Sequence, residues 1–190
     1  MSEHIRTGID PRAEASFSLR NRLGRVLWGV IAALLVRPSP RPCHRWRAFW
    51  LRRCGARLGR NCHVYPRARI WAPWNLVMDD EAAFADDVIC YNIAPVTVGR
   101  RAVVSQGAHL CTGSHDYEDP GFQLIARPIT IGAEAWICAE AFVGPGVTIG
   151  DGAVLAARAV ATRDAAAWMV HAGMPAKPLK PRVLRAAGTP

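Results

Sequence analysis

From Ile131 to Leu155 every sixth residue is a branched aliphatic: Ile131, Ile137, Val143, Ile149 and Leu155. The residue after each is small (Gly132, Cys138, Gly144, Gly150, Ala156), and a small or β-branched residue returns three places later, at Ala135, Ala141, Val147, Ala153 and Ala159. The same phase runs earlier through Val98-Gly99, Val104-Ser105 and Leu110, and before that through Leu58-Gly59, Val64 and Ile70. A period of six matches neither the roughly 3.6-residue turn of an α-helix nor the alternation of a simple strand. It matches a solenoid of short parallel strands joined by tight corners, in which three hexads close one triangular coil. The aliphatic residue points into the prism, and the small residue lets the chain turn without a clash. Successive coils stack at about 4.8 Å, so like residues pile on like.

Two stretches depart from the period. Cys111 to Pro128 is a polar excursion between regular coils, and an interruption that costs the ladders marks a candidate functional loop. From Trp71 to Ala94 the phase is blurred. The repeats end near Thr162, and residues 163–190 form a tail with Pro175, Pro178 and Pro181. Ahead of the solenoid, Phe17, Leu19, Leu23, Val26, Leu27, Val30, Ile31, Leu34 and Leu35 recur at helical spacing and predict a helix over Ser16–Val36, capped by Ser16 or Ser18. The proline-rich run 37–42 ends it. A second helix is expected over His44–Cys54, closed by Gly55. The expected organisation is a flexible tail at 1–15, a helical extension at 16–55, the solenoid at 56–162 with its loop at 111–128, and the tail from 163.

The chain carries a formal net charge of +9, and Arg20 to Arg69 holds no acidic residue. Such an excess suits nucleic acid, an anionic membrane surface, a phosphorylated small molecule, or only a solvated face. No zinc-finger spacing or RNA-binding aromatic signature accompanies it, which argues against nucleic acid. Val26 to Val36 is about half the length that spans a bilayer, and it reads as neither a signal peptide nor a transmembrane helix. The six cysteines form no CxxC pair and read as reduced thiols in a cytoplasmic protein.

The hexads, the Ser114-His115-Asp116 loop and the Ala172-Gly-Met-Pro-Ala-Lys177 segment together resemble the hexapeptide-repeat O-acetyltransferases, which include the galactoside, maltose and nodulation-factor enzymes. The chain is most similar to the colanic-acid-biosynthesis branch. There the likeness extends to Ser16-Phe-Ser-Leu19, Trp46-Arg47, Trp71-Ala-Pro-Trp-Asn-Leu76, Ser105-Gln106 and Leu110-Cys-Thr-Gly-Ser-His-Asp-Tyr117, and covers about Ser16 to Arg182. The resemblance implies an all-β, left-handed parallel β-helix. The hand comes from the resemblance alone, because general topology rules favour right-handed crossovers. It also implies a homotrimer with active sites between neighbouring subunits, acetyl-CoA as acyl donor, no metal, and a sugar acceptor that is free or lipid-linked within an exopolysaccharide precursor.

Acetyl transfer to an alcohol needs a base, and a loop histidine suits that task at neutral pH. His115 matches the family's catalytic histidine. Asp116 either assists it or shapes the loop through its own backbone. By the same resemblance Asn92 meets the acceptor sugar, with a turn asparagine as the plain alternative, and Trp136 lines the acceptor or pantetheine channel, with a packed corner residue as the alternative. The resemblance makes backbone N–H groups near Ala139 the candidates to face the thioester oxygen. Ala139, Ala157, Thr162, Arg163, Lys177 and Lys180 match the family positions that line the CoA groove. Arg163 stands where relatives often have lysine, and Cys138 replaces a common glycine. His63, His109 and His171 read as structural or surface groups.

The rival readings are a γ-type carbonic anhydrase using His109 and His115, a non-catalytic binding β-helix, and an acetyltransferase for serine or an antibiotic. The basic N-terminal helix either caps the open coil or rests on an anionic membrane.

Overall fold

The computed structural model describes Ile5 and residues 14–184. The expected tail at 1–15 and the last residues of the C-terminal tail lie almost wholly outside them. The hexads form three parallel sheets, visited in turn by each coil. The first holds Arg57–Leu58, Leu76–Met78, Val96–Val98, Ile129–Ile131 and Thr148–Ile149. The second holds His63–Val64, Ala83–Phe84, Val103–Val104, Trp136–Ile137, Val154–Leu155 and Met169–Ala172. The third holds Arg69–Ile70, Ile89–Tyr91, His109–Cys111, Phe142–Val143 and Val160–Ala161. The chain is a parallel β-solenoid, as the period requires.

Register stacks the hexad aliphatics into interior columns. Met78, Val98, Ile131 and Ile149 form one, Phe84, Val104, Ile137 and Leu155 the next, and Cys90, Leu110, Val143 and Ala161 the third. Every one of these side chains is buried. The small residues following the first sheet owe their size to the neighbouring coil. A Cβ on Gly132 would lie 2.5 Å from the Asp151 backbone nitrogen, and one on Gly150 would lie 2.5 Å from that of Ala167. The turn's left-handed residue comes two places later, at Glu134 (φ 57) and Glu140 (φ 58).

The blurred phase has a local cause. Ile70 to Met78, and again Cys90 to Val98, take eight residues instead of six. Both extensions fall where the third sheet hands over to the first, and the 111–128 excursion leaves from that same edge. The widened corner exposes backbone groups, and buried polar side chains satisfy them. Asn75 donates to the carbonyls of Asn92 and Ile93 at 3.1 and 2.6 Å. Thr112 donates to the Tyr91 carbonyl at 2.9 Å and accepts the Ala94 N–H at 3.0 Å.

Two helices close the open first coil: α1 (Leu19–Ile31), capped by Ser18, and α2 (His44–Arg53). The expected single helix to Val36 ends instead in a wider π-helical turn over Ala32–Val36. Trp28, Ala32, Val36 and Leu51 join the core, and the Trp28 indole donates to the Ile70 carbonyl at 2.7 Å. Arg47 is fully buried and donates to the carbonyls of Val64 (2.6 Å), Pro40 (2.8 Å) and Arg41 and to the Ser39 hydroxyl, tying the proline-rich link to α2 and the second sheet. At the other end the tail continues the solenoid. Met169–Ala172 pairs in parallel with Val154–Leu155, then Lys177–Pro181 folds back antiparallel on it.

Candidate active site

The 111–128 excursion is a β-hairpin. Gly113–His115 pairs antiparallel with Leu124–Ala126, and His115 stands opposite Leu124. The root is fixed by the Arg127 N–H, which donates to the Thr112 carbonyl at 2.9 Å, and by Gly113. A Cβ there would meet the Ile93 Cδ1 at 2.7 Å. Two aspartates shape the tip: Asp116 accepts the Glu118 N–H at 3.1 Å, and Asp119 accepts the Gly121 N–H at 2.8 Å.

The His115 ring is held against Phe122. Its Nδ1 lies 2.9 Å from the Phe122 carbonyl, and its ring stacks on the Phe122 ring at 4.4 Å between centroids and 8° between planes. A carbonyl only accepts, so Nδ1 carries the hydrogen, and in the neutral ring Nε2 presents its lone pair outward. That is the arrangement a general base needs. Phe122 reaches it through a left-handed backbone (φ 47). The Asp116 carboxylate serves the turn and bonds the Glu118 backbone, while the orienting acceptor on His115 is the Phe122 carbonyl.

Asn92 is fully buried, and both ends of its amide bond Ala72. Oδ1 accepts the Ala72 N–H at 2.9 Å, and Nδ2 donates to the Ala72 carbonyl at 2.7 Å. The side chain is thus spent inside the widened corner.

Trp136 lies on the outer surface of the second sheet, 47% exposed, and its indole donates to Ser105 Oγ at 2.8 Å. Val103 and Val154 flank it in the adjoining coils. Ala139 and Ala157 sit one coil apart at the corner between the second and third sheets, where the Arg158 N–H bonds the Ala139 carbonyl at 2.9 Å. The N–H groups of Cys138, Glu140 and Ala141 are all engaged; those of Ala139 and Ala157 have no hydrogen-bond partner among the described residues. Burial pushes the Cys138 thiol up, so it fills space beside Ala139 as an unreactive neutral group. Thr162 and Arg163 are exposed where the fifth coil leaves the third sheet, and Lys177 and Lys180 are exposed on the final strand.

These residues fall on different edges of one subunit. The hairpin springs from the corner between the third and first sheets. Trp136 and Lys180 belong to the second sheet, and Ala139 and Ala157 to its far corner. In a three-sided column the hairpin's edge lies opposite the second sheet. His109 packs on Phe142 at 5.3 Å and lies in a different strand from His115. Among the described residues no group of three His, Cys, Asp or Glu is placed to hold a metal.

Sequence reasoning missed Phe122 and Ser105. The Pro120-Gly121 pair signals a turn at the hairpin tip, but the direction of a carbonyl leaves no mark in a sequence.

No family model matches the chain. An Escherichia coli (strain K12) protein named as a colanic acid biosynthesis acetyltransferase, WcaF, is 42% identical over 157 residues, spanning 83% of this chain and 86% of that one. The chain belongs to the hexapeptide-repeat acetyltransferases. Two solved structures share the architecture of this acetyltransferase. A maltose O-acetyltransferase from Clostridium difficile 630 superposes with a TM-score of 0.78 at 22% identity, over 86% of this chain and 89% of that one. The hexapeptide-repeat acetyltransferase VCA0836 from Vibrio cholerae O1 biovar eltor, in complex with acetyl coenzyme A, gives 0.78 at 23% identity, over 87% and 91%.

Proposed function

We propose that this acetyltransferase moves the acetyl group of acetyl-CoA to a hydroxyl of a sugar in an exopolysaccharide precursor, with His115 as general base. The observation that carries this reading is the His115 ring itself, fixed by the Phe122 carbonyl and ring with Nε2 bare. The sugar O–H gives its proton to Nε2 as its oxygen attacks the thioester carbon. The carbonyl oxygen becomes an oxyanion, and the unpaired Ala139 N–H is the donor assigned to it. Collapse breaks the C–S bond, and the imidazolium returns its proton to the departing thiolate, so the base is restored.

The CoA groove is assigned to the second sheet and its corner. Trp136 offers an aromatic plate, small Ala139 and Ala157 admit the pantetheine arm, and Lys177 and Lys180 meet the phosphates, joined across the junction by Thr162 and Arg163, which stand on the same edge as the hairpin. Because one subunit holds His115 on the edge opposite Trp136, Lys177 and Lys180, the working site is assigned to the junction between two copies in a cyclic homotrimer, three sites per assembly. All six cysteines are free, in keeping with a cytoplasmic enzyme.

The test is CoA release from acetyl-CoA against a panel of sugars, nucleotide sugars and lipid-linked oligosaccharides. The expected result is turnover with a saccharide, and a His115→Ala variant that binds CoA normally but turns over roughly 10²–10⁴-fold more slowly. Full activity in that variant removes His115 from the mechanism.

A further inference from the structure

Helix α1 turns its apolar face away from the protein. Leu19, Leu23, Val26, Leu27, Val30 and Leu34 are each between 51% and 72% exposed. At about 100° per residue, the first five fall within an arc of roughly 100°. The opposite side holds Asn21, Trp28 and Ala32, and it is this side that caps the solenoid. Capping therefore accounts for one face of α1 and leaves the more hydrophobic one bare. An amphipathic helix ordinarily buries its apolar stripe, and a contiguous exposed stripe marks an interaction site.

The stripe continues onto α2. The indole of Trp46, 44% exposed, donates to the Leu35 carbonyl at 2.7 Å, which sets it beside the end of the stripe, and Phe49 stacks near it with ring centroids 6.4 Å apart. Tryptophan beside a leucine face suits the level of lipid headgroups. On the helical wheel Arg20 and Arg22 border the stripe on its two sides. Behind α1 a cavity of about 250 Å³ is lined by Arg25, Arg37 and Arg69 together with Trp28 and Ile70. Arg25 is engaged there, donating to Asn21 Oδ1 at 2.7 Å and lying over the Trp71 ring, whereas Arg20 and Arg22 have no ion pair among the described residues.

We propose that this face of α1 and α2 docks the enzyme on an anionic lipid bilayer, with the helix lying in the plane of the headgroups. The charge pattern selects the occupant. Arg20 to Arg69 contains no acidic residue, so this face carries positive charge with no counter-charge of its own and suits an anionic surface. A surface of acidic headgroups neutralises Arg20 and Arg22 while the leucines enter the acyl boundary. The depth is interfacial: no helix among the described residues is long and apolar enough to cross a membrane. A cyclic assembly carries every copy of the helix at the same end, so several weak contacts add on one surface. This inference is independent of the acceptor sugar and of His115.

The test is sedimentation of the full chain with phosphatidylcholine vesicles, with and without phosphatidylglycerol, over a salt series. The wild-type protein is expected to pellet with the phosphatidylglycerol vesicles and to be released as salt rises. A Leu23→Asp/Leu27→Asp variant is expected to lose roughly a hundredfold or more in partitioning, the scale of withdrawing two buried leucines, at unchanged mass in light scattering. An Arg20→Glu/Arg22→Glu variant is expected to lose the preference for anionic vesicles. Absence of wild-type binding, or binding by both variants equal to wild type, overturns the proposal. A change of mass in the leucine variant also overturns it, because the stripe is then a subunit contact.

Discussion

At the scale of single residues, the chain separates groups that hold the column from groups that do chemistry. Gly132 belongs to the first kind: its Cβ position is taken by the backbone of Asp151 at 2.5 Å, and backbone has nowhere to go. Gly132→Ala is expected to cost about 1–3 kcal/mol, the usual penalty for overpacking, read as a lower midpoint in thermal melting. Gly29→Ala is the internal control. Nothing lies within 4 Å of that Cβ position, it is on the surface of α1, and alanine favours helix there. Equal melting of the two variants would contradict the stacking argument. His115 is the residue proposed for the second kind, and its ring is oriented by Phe122. The need for a histidine is legible in a sequence, because residue type sets the chemistry. The partner that fixes its tautomer is the backbone oxygen of Phe122, a residue with a left-handed φ of 47, and no residue type encodes where that oxygen points. Asn92 shows the reverse case. Its residue type suits a sugar, but burial in the widened corner engages both ends of the amide with Ala72.

At the scale of elements, the hexads were legible because each aliphatic faces the same interior column in every coil. The Trp71 to Ala94 stretch was not, because two added residues at one corner shift the phase without breaking the column: Met78 still stacks on Val98. The hairpin was visible as a polar break in an apolar rhythm. For α1 the periodicity was plain and the facing was not. A sequence shows that a helix has an apolar stripe, but the packing partner decides which way it points. Here Trp28 anchors the other side, with 6% of its surface exposed and its indole bonded to the Ile70 carbonyl. Trp28→Ala is expected to cost about 3–5 kcal/mol, the range for emptying a large buried aromatic site, seen in denaturant unfolding of the whole chain. A cost well under 1 kcal/mol would mean that α1 is not part of the folding unit.

At the scale of the molecule, function divides between ends and edges. The helical end carries the unpaired arginines and the bare apolar stripe. The far edge of the third sheet carries the histidine hairpin, and the second sheet carries the groove assigned to CoA. If the proposed site is right, that division makes assembly part of the chemistry, since one copy then holds only one half of it. The most direct measurement is complementation between two inactive chains, His115→Ala and Ala139→Trp, the second blocking the groove. Each alone is expected to be nearly inactive. Co-expressed in equal amounts, they form mixed trimers in which one junction has both halves intact, and activity is expected to return to about a quarter of wild type. Failure of the mixed assemblies to recover any activity, with both variants incorporated, would contradict a site shared between neighbours.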